Sequence, residues 1–243
     1  MKQGIYTIAE NRPIAKNTME MILLGDTSPL TAPGQFINIR VEGFFLRRPI
    51  SVCDYTDERT TIIYKIVGAG TAAMSRMKAG ETLDILTGLG NGYHIDKAGR
   101  LPLLIGGGAG VPPMYGLAKA LIAKGITPQV ILGFNTADEV FYTEEFRSLG
   151  ADLTLVTADG SAGEKGFVTD IMKSKEYSYF FTCGPAAMFR AIEAIARTSG
   201  QYSFEERMGC GFGACMGCSC QTKYGNKRIC KEGPVLEREE IIW

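Results

Sequence analysis

The chain has one histidine in its 243 residues. A histidine triad or a His-rich metal site would have to be built from His94 alone, so proton-relay chemistry of that kind is set aside. Basic and acidic residues are equal at 26 each. With no net field of either sign, nothing in the charge balance calls for nucleic acid or an anionic membrane as partner. No apolar run approaches the ~20 residues that span a bilayer. The start, Met1-Lys-Gln-Gly-Ile-Tyr6, lacks the apolar core of a secretory signal. Internal repeats and low-complexity tracts are also missing. These absences lead to the expectation of a cytoplasmic protein, free of membrane, in a reducing compartment. Its 45% apolar content is that of an ordinary globular protein, and its length suits one to two domains with an appendage.

What the chain does have is a cysteine-rich end. Cys210, Cys215, Cys218 and Cys230 are separated by four, two and eleven residues, the spacing of a plant-type [2Fe–2S] site. Gly209, Gly211, Gly213 and Gly217 between them let the backbone wrap closely and aim N–H groups at sulfur. A zinc knot is the competing reading, but zinc favours two C-x2-C knuckles and this tail has one. A disulfide framework fits badly without a secretory signal. Cys220 reads as a spare thiol turned away from the others. Cys53 and Cys183 lie in apolar strand-like runs, where a cysteine is usually a buried thiol.

Ahead of this tail the pattern divides at about residue 100. Residues 1–99 carry short runs rich in Ile, Val, Phe and Thr (Met19–Leu24, Gln35–Val41, Phe45–Val52, Thr60–Val67, Thr82–Leu86), separated by turn residues. That pattern predicts a small antiparallel β-barrel, with one helix over Gly70–Lys78 capped by Thr71. Residues 100–206 alternate strand and helix: Leu101–Ile105 with Pro113–Lys124, Val130–Phe134 with Thr143–Leu149, Leu153–Thr157 with Val168–Lys173, and Tyr179–Cys183 with Ala186–Thr198. Alternation of this kind predicts a doubly wound parallel sheet with helices on both faces. A last strand over Ser203–Arg207 would feed residues 207–243, the cluster-binding subdomain. The fold class is thus α/β plus β in three parts.

Five stretches sit where chemistry is built. Gly106-Gly107-Gly108-Ala109-Gly110 lies between a strand and a helix, so Gly107, Gly108 and Gly110 can admit a pyrophosphate to the backbone and the helix N-terminus. A plain glycine turn is the alternative. Cys183-Gly184-Pro185 ends another parallel strand and, with Met188, could wall a nicotinamide pocket. The stretch Phe134–Glu139 is acidic and holds no arginine, which suits a ribose 2′-hydroxyl better than a 2′-phosphate and favours NAD over NADP. In the barrel, Arg48 offers bidentate contacts to a pyrophosphate and Ser51 a bond to a flavin edge. Arg47 and Arg48 are adjacent strand residues that face opposite sides, so only one of them can point into a given site. Gly68-Ala69-Gly70-Thr71 opens a helix after a strand, a second place for an anion.

In this order the pieces resemble the ferredoxin–NADP reductase superfamily of flavoproteins. Arg48-Pro49-Ile50-Ser51 resembles its first flavin motif, with Ile50 where an aromatic is usual, and Gly68–Thr71 resembles its second. Gly106–Met114 and Cys183–Pro185 resemble its pyridine-nucleotide motifs. The tail Met208–Cys218, with Cys230–Val235, is similar to that of the electron-transfer subunits of NAD-dependent (class B) dihydroorotate dehydrogenases. That resemblance covers essentially the whole chain. It implies FAD held by Arg48–Ser51, Lys65, Ile66, Val67, Gly70 and Thr71. It also implies a [2Fe–2S] cluster on Cys210, Cys215, Cys218 and Cys230, and NAD as a dissociable acceptor. The implied partner is an FMN-containing catalytic subunit, two copies of each chain forming a heterotetramer, and the implied pathway is pyrimidine synthesis. Electrons would pass from FMN through cluster and FAD to NAD, with the tail at the partner interface. The small subunit of an NADPH-dependent ferredoxin oxidoreductase or a sulfide dehydrogenase is the nearest other reading; a zinc-binding regulatory module is the more distant one.

Overall fold

The structure is a computed structural model that describes all 243 residues. Six strands come first: β1 (Lys2–Ala15), β2 (Thr18–Leu24), β3 (Phe36–Arg40), β4 (Arg48–Tyr55), β5 (Arg59–Lys65) and β6 (Thr82–Leu89), with helix α1 (Ala69–Met74) between the last two. They close into an antiparallel barrel in the order β1-β2-β5-β4-β3-β6. Alternation fills it: Met21, Leu23, Ile37, Ile39, Ile62 and Ile85 point inward and are fully buried. Branched side chains suit this because they pack stiffly on a pleated surface.

A second sheet follows, built from β7 (Pro102–Gly107), α2 (Val111–Ala123), β8 (Gln129–Phe134), α3 (Thr143–Ser148), β9 (Asp152–Thr157), β10 (Glu164–Lys165), α4 (Val168–Ser174), β11 (Tyr179–Cys183), α5 (Ala186–Glu193) and β12 (Gly200–Ser203). The tail then forms a hairpin, β13 (Ser219–Thr222) and β14 (Gly225–Arg228), and ends in β15 (Val235–Glu237). The sheet order is β10-β9-β8-β7-β11-β12-β15, parallel except that β15 runs antiparallel to β12. Helices α2 and α3 cover one face and α4 and α5 the other. The central strands are apolar on both sides: Phe181 packs under α2 and Phe180 under α5. Burying each such ring contributes roughly 1.5–3 kcal/mol. The winding reverses between β7 and β11, whose carboxyl ends stand side by side with Cys183 opposite Gly106. Open α/β sheets bind ligands at such a switch point.

Barrel and sheet are locked together by polar ties. Glu20 of β2, almost wholly buried, accepts from Tyr142 Oη and from Arg12 Nη2, both at 2.6 Å. Lys119 of α2 reaches Asp54 of β4 at 2.7 Å. Removing Tyr142 would cost more than its bond contributes, because the Glu20 carboxylate stays behind buried with one donor fewer.

The local differences from sequence expectation have physical causes. β1 is the longest strand and has no apolar signal, since only Tyr6 and Ile8 along it are buried. The strand expected from Phe45 begins at Arg48, leaving Phe45 fully exposed in a loop. Thr71 is not the cap of α1. Gly68 holds that place, and Thr71, three residues on, accepts from the Val67 and Gly68 N–H groups at 3.0 and 3.3 Å. The strand expected over Ser203–Arg207 lies at Gly200–Ser203 instead. The Phe180 ring lies where a Cβ on Gly200 would be, so glycine is required inside this strand. The helix expected to Thr198 stops at Glu193.

Candidate functional site

A cleft of about 650 Å³ opens over the carboxyl ends of β7 and β11. Its floor is backbone. Gly107 and Gly108 line it, and Gly108 has φ of +53°, a conformation that favours glycine. Gly110 lies beneath, where an added Cβ would stand 2.1 Å from the Cys183 carbonyl oxygen. The turns after β7 and β11 therefore touch. Gly184, Pro185 and Met188 wall one side. Cys183 itself is 1% exposed and is not part of the lining, and burial holds its thiol well above the usual range. The sequence motifs thus meet in one place, with Cys183 as support behind it.

Two lining groups come from further off. Lys65 reaches in from β5 of the barrel, its Nζ 3.8 Å from where a Cβ on Gly108 would be. It pairs with Glu139 Oε2 at 3.3 Å, which Asn135 Nδ2 also donates to at 3.1 Å. A cation therefore stands beside the glycine turn and a carboxylate beside the cation, with no arginine in the lining. Glu205 also lines the cleft, and the surrounding protein raises its carboxyl above the ordinary value by desolvation. Sequence reading singled out the acidic stretch containing Glu139 but had no signal for Glu205.

On the barrel, Arg48 and Gly70 are brought together. The Arg48 guanidinium lies so close to Gly70 that a Cβ there would stand 2.0 Å from Nε, and its other face covers the Phe44 ring at 4.8 Å. Arg47 turns away to the Asp84 carboxylate at 2.9 Å. Pro49 and Ser51 stand opposite Asn38 and Phe36 of β3. Ile50 pairs with Ile37 and packs against the barrel core. Ile66 does likewise, whereas Val67 is exposed.

The cysteine loop meets the barrel at β3, where Asn38 lies opposite Pro49. Its sulfurs fall into two pairs. The Ala214 and Cys215 N–H groups donate to Cys210 Sγ at 3.2 and 3.5 Å, and the Cys230 N–H donates to Cys218 Sγ at 3.4 Å. Burial raises the Cys210 thiol, but N–H groups from Cys215, Phe212 and Ala214 and the Cys215 thiol outweigh it and bring it down to about 6. Cys230 is pushed up to about 12 by burial, by its hydrogen bond with Cys218 and by the charges of Cys218 and Cys210. No three His, Cys, Asp or Glu side chains gather closely enough for one metal ion. The Cys210 and Cys215 thiols are hydrogen-bonded neighbours, as are those of Cys218 and Cys230, so two such pairs would supply two thiolates to each iron of a two-iron centre. Burial raises the Cys220 thiol, and the charged groups that also act on it, Glu206, Glu240 and Lys227, include no cysteine.

Side chains outside the cysteines hold this loop. Asn38 Nδ2 donates to the Cys210 carbonyl at 3.0 Å, and Arg228 Nη1 to the Gly213 carbonyl at 2.5 Å. Arg228 also clamps Glu232. Neither residue carries a sequence signal.

Barrel, switch-point cleft and four-cysteine tail together define a flavin- and pyridine-nucleotide-dependent reductase of the ferredoxin–NADP reductase type with an iron–sulfur appendage. The comparisons agree. Residues 104–194 match the oxidoreductase NAD-binding domain, and residues 205–242 match the iron–sulfur cluster binding domain of dihydroorotate dehydrogenase B. A solved NADH-dependent reduced ferredoxin–NADP oxidoreductase superposes with a TM-score of 0.90 at 29% identity, covering 99% of this chain and 90% of that one. An Amycolatopsis cytochrome P450 reductase shares the fold at 24% identity, with a TM-score of 0.70 over 81% of this chain and 66% of its own. Among curated proteins, the dihydroorotate dehydrogenase B (NAD(+)) electron transfer subunit of Geobacillus sp. (strain WCH70) is 43% identical, covering 100% of this chain and 99% of that protein. Its namesake in Bacillus mycoides (strain KBAB4) is 42% identical over the same shares. The chain belongs to the family of electron transfer subunits of NAD(+)-dependent dihydroorotate dehydrogenase B.

Proposed function

We propose that this chain takes electrons from a separate dihydroorotate-oxidising subunit, an FMN protein, and delivers them to NAD+ in pyrimidine synthesis. Two copies of each chain would form the assembly. The observation that carries the reading is the contact of the cysteine loop with β3 of the barrel, next to the Arg48–Ser51 strand, with the dinucleotide cleft opening on the same molecule. FAD, when bound, supplies the exchange between the single electrons of a [2Fe–2S] cluster and the hydride of a nicotinamide. The residues present fit these groups.

Arg48 against Gly70 and Thr71 would hold the flavin's diphosphate, since a guanidinium and backbone N–H groups match phosphate oxygens. Pro49, Ile50, Ser51, Ile66 and Val67 would support the ring from the barrel. Cys210 with Cys215 would serve one iron, and Cys218 with Cys230 the other. Gly107 and Gly108 leave room for the diphosphate of NAD at the start of α2, and Gly110 and Cys183 support that turn. Lys65 would turn from Glu139 to that diphosphate, freeing Glu139 for ribose hydroxyls. Gly184, Pro185 and Met188 would face the nicotinamide. The absence of arginine in the lining supports NAD over NADP. No side chain is needed as a proton relay here: His94 pairs with Glu237 at 3.0 Å and is not part of the cleft.

No helix is long and apolar enough to cross a membrane. Phe212 and Met216 are exposed within the cysteine loop, a surface a partner would cover. Lys223 and Lys227 are engaged by the Glu239 carbonyl and the Glu240 carboxylate. The apolar pair is therefore the better probe of docking. The test is anaerobic co-purification with a class B catalytic subunit and a dihydroorotate-to-NAD+ assay. NAD+ reduction that requires both chains supports the reading. Failure to associate, together with NADPH oxidation by a ferredoxin, would replace it.

A further inference from the structure

The loop Met208–Cys218 is tied to the barrel by one side-chain hydrogen bond, from Asn38. This residue lies on β3 and is 1% exposed, and its Nδ2 donates to the Cys210 carbonyl at 3.0 Å. The approach depends on Gly211, which has φ of +78° and whose Cβ would stand 2.2 Å from that nitrogen. Asn38 Oδ1 is buried with no donor. The amide therefore has one permitted orientation, because reversing it would set two carbonyl oxygens against each other.

Its surroundings make an amide a costly choice. The neighbouring side chains on this face, Phe36, Leu86 and Leu89, pack with the buried tail residues Cys218, Ile229 and Cys230. A leucine would suit that environment and would not bury the unpartnered Oδ1, at the loss of the donor to the Cys210 carbonyl. Across the strands Asn38 is in register with Pro49, and Phe36 with Ser51. Register partners share a face, so Asn38 stands beside the residues assigned above to the flavin while holding the backbone of a cysteine assigned to the cluster.

We propose that Asn38 is a positioning residue for electron transfer, fixing the distance and orientation of the cysteine loop relative to the flavin strand. The inference rests on the cluster and flavin assignments of the preceding section. It separates two jobs within the tail: Arg228 shapes the loop from inside, and Asn38 aligns the loop with the barrel.

The test compares wild type and Asn38→Leu, each purified anaerobically as the holoprotein. Iron and FAD content of the wild type is read first; a wild type lacking either removes the assignments, and this role with them. The expected Asn38→Leu protein keeps both groups. Its reduced-cluster EPR spectrum and midpoint potential shift, and flavin–cluster electron exchange in rapid mixing slows about tenfold, as small misplacements of reacting centres do. In the apoprotein, amide hydrogen exchange over residues 209–215 speeds up, a readout independent of activity. Asn38→Asp, which keeps the shape and removes the donor, serves as the second variant and moves the same readouts. An Asn38→Leu protein with wild-type spectrum, potential and exchange rate overturns the proposal. So does one that loses its iron while keeping FAD, which would make the contact a structural anchor only.

Discussion

The dinucleotide cleft and the cysteine loop sit on one molecule and are built by opposite means. The cleft is the by-product of regular structure: parallel strands end together, glycines clear a floor, and a helix begins there. Its shape rests on buried apolar strands such as Phe180–Cys183. The loop has no regular structure between Phe204 and Cys218. It is held by separate polar ties from Asn38 and Arg228. A site made by a sheet persists without its ligand, whereas a site made by a few hydrogen bonds leans on what it binds.

The sharpest break in that comparison comes from the cysteines. Cys215→Ser is expected to abolish iron binding while leaving the sheet folded, and Cys220→Ser to keep full iron. Iron analysis with circular dichroism decides both, and an iron-free Cys220→Ser protein would redraw the ligand set. Next is Gly110→Ala, which strikes the cleft through backbone. Its methyl group meets the Cys183 carbonyl at 2.1 Å, so we expect a loss of about 3 kcal/mol, the upper end for overpacking. Denaturant melts would show it, and an unchanged midpoint would refute the contact between the two turns.

A smaller effect is expected from Lys65→Ala. Removing the cation beside Gly108 should raise KM for NADH about tenfold, near 1.4 kcal/mol, with kcat little changed. An unchanged KM would return Lys65 to a purely flavin-side role. The smallest is a pH effect at Glu237, where the tail rejoins the sheet. Desolvation raises this carboxyl, but Lys97, Tyr179 and His94 outweigh it and the net position is below the ordinary 4.5. Because the folded value is the lower one, its contribution is complete above 4.5 and fades as pH falls below that. Glu237→Gln should therefore cost about 1 kcal/mol at neutral pH and progressively less in acid. A melting difference that stayed constant from pH 7 to pH 3 would count against it.

Much of this architecture was legible in the sequence because its chemistry is tied to spacing. Cysteine intervals and glycines between strand and helix are local, and so are apolar runs such as Tyr179–Cys183. What escaped was either polar or distant. β1 buries only Tyr6 and Ile8, and the β13–β14 hairpin is built from Ser, Cys, Gln, Thr, Gly, Asn, Lys and Arg, so neither has an apolar pattern to find. Asn38 meets Cys210 across 172 positions, and Lys65 meets Glu139 from another sheet. No local rule reports such a meeting, because it exists only once barrel and sheet have docked.

The return of β15 to lie beside β12 has a consequence for how such a molecule could arise. These neighbours are antiparallel, so everything from residue 204 to residue 234 is a single excursion out of an edge hairpin. Loop-closure entropy grows only with the logarithm of length, and a long insertion at an edge therefore burdens the parent sheet little. The redox centre is in that sense a cassette spliced into one turn: its two ends are fixed side by side, and its contents can change while the reductase beneath keeps its shape.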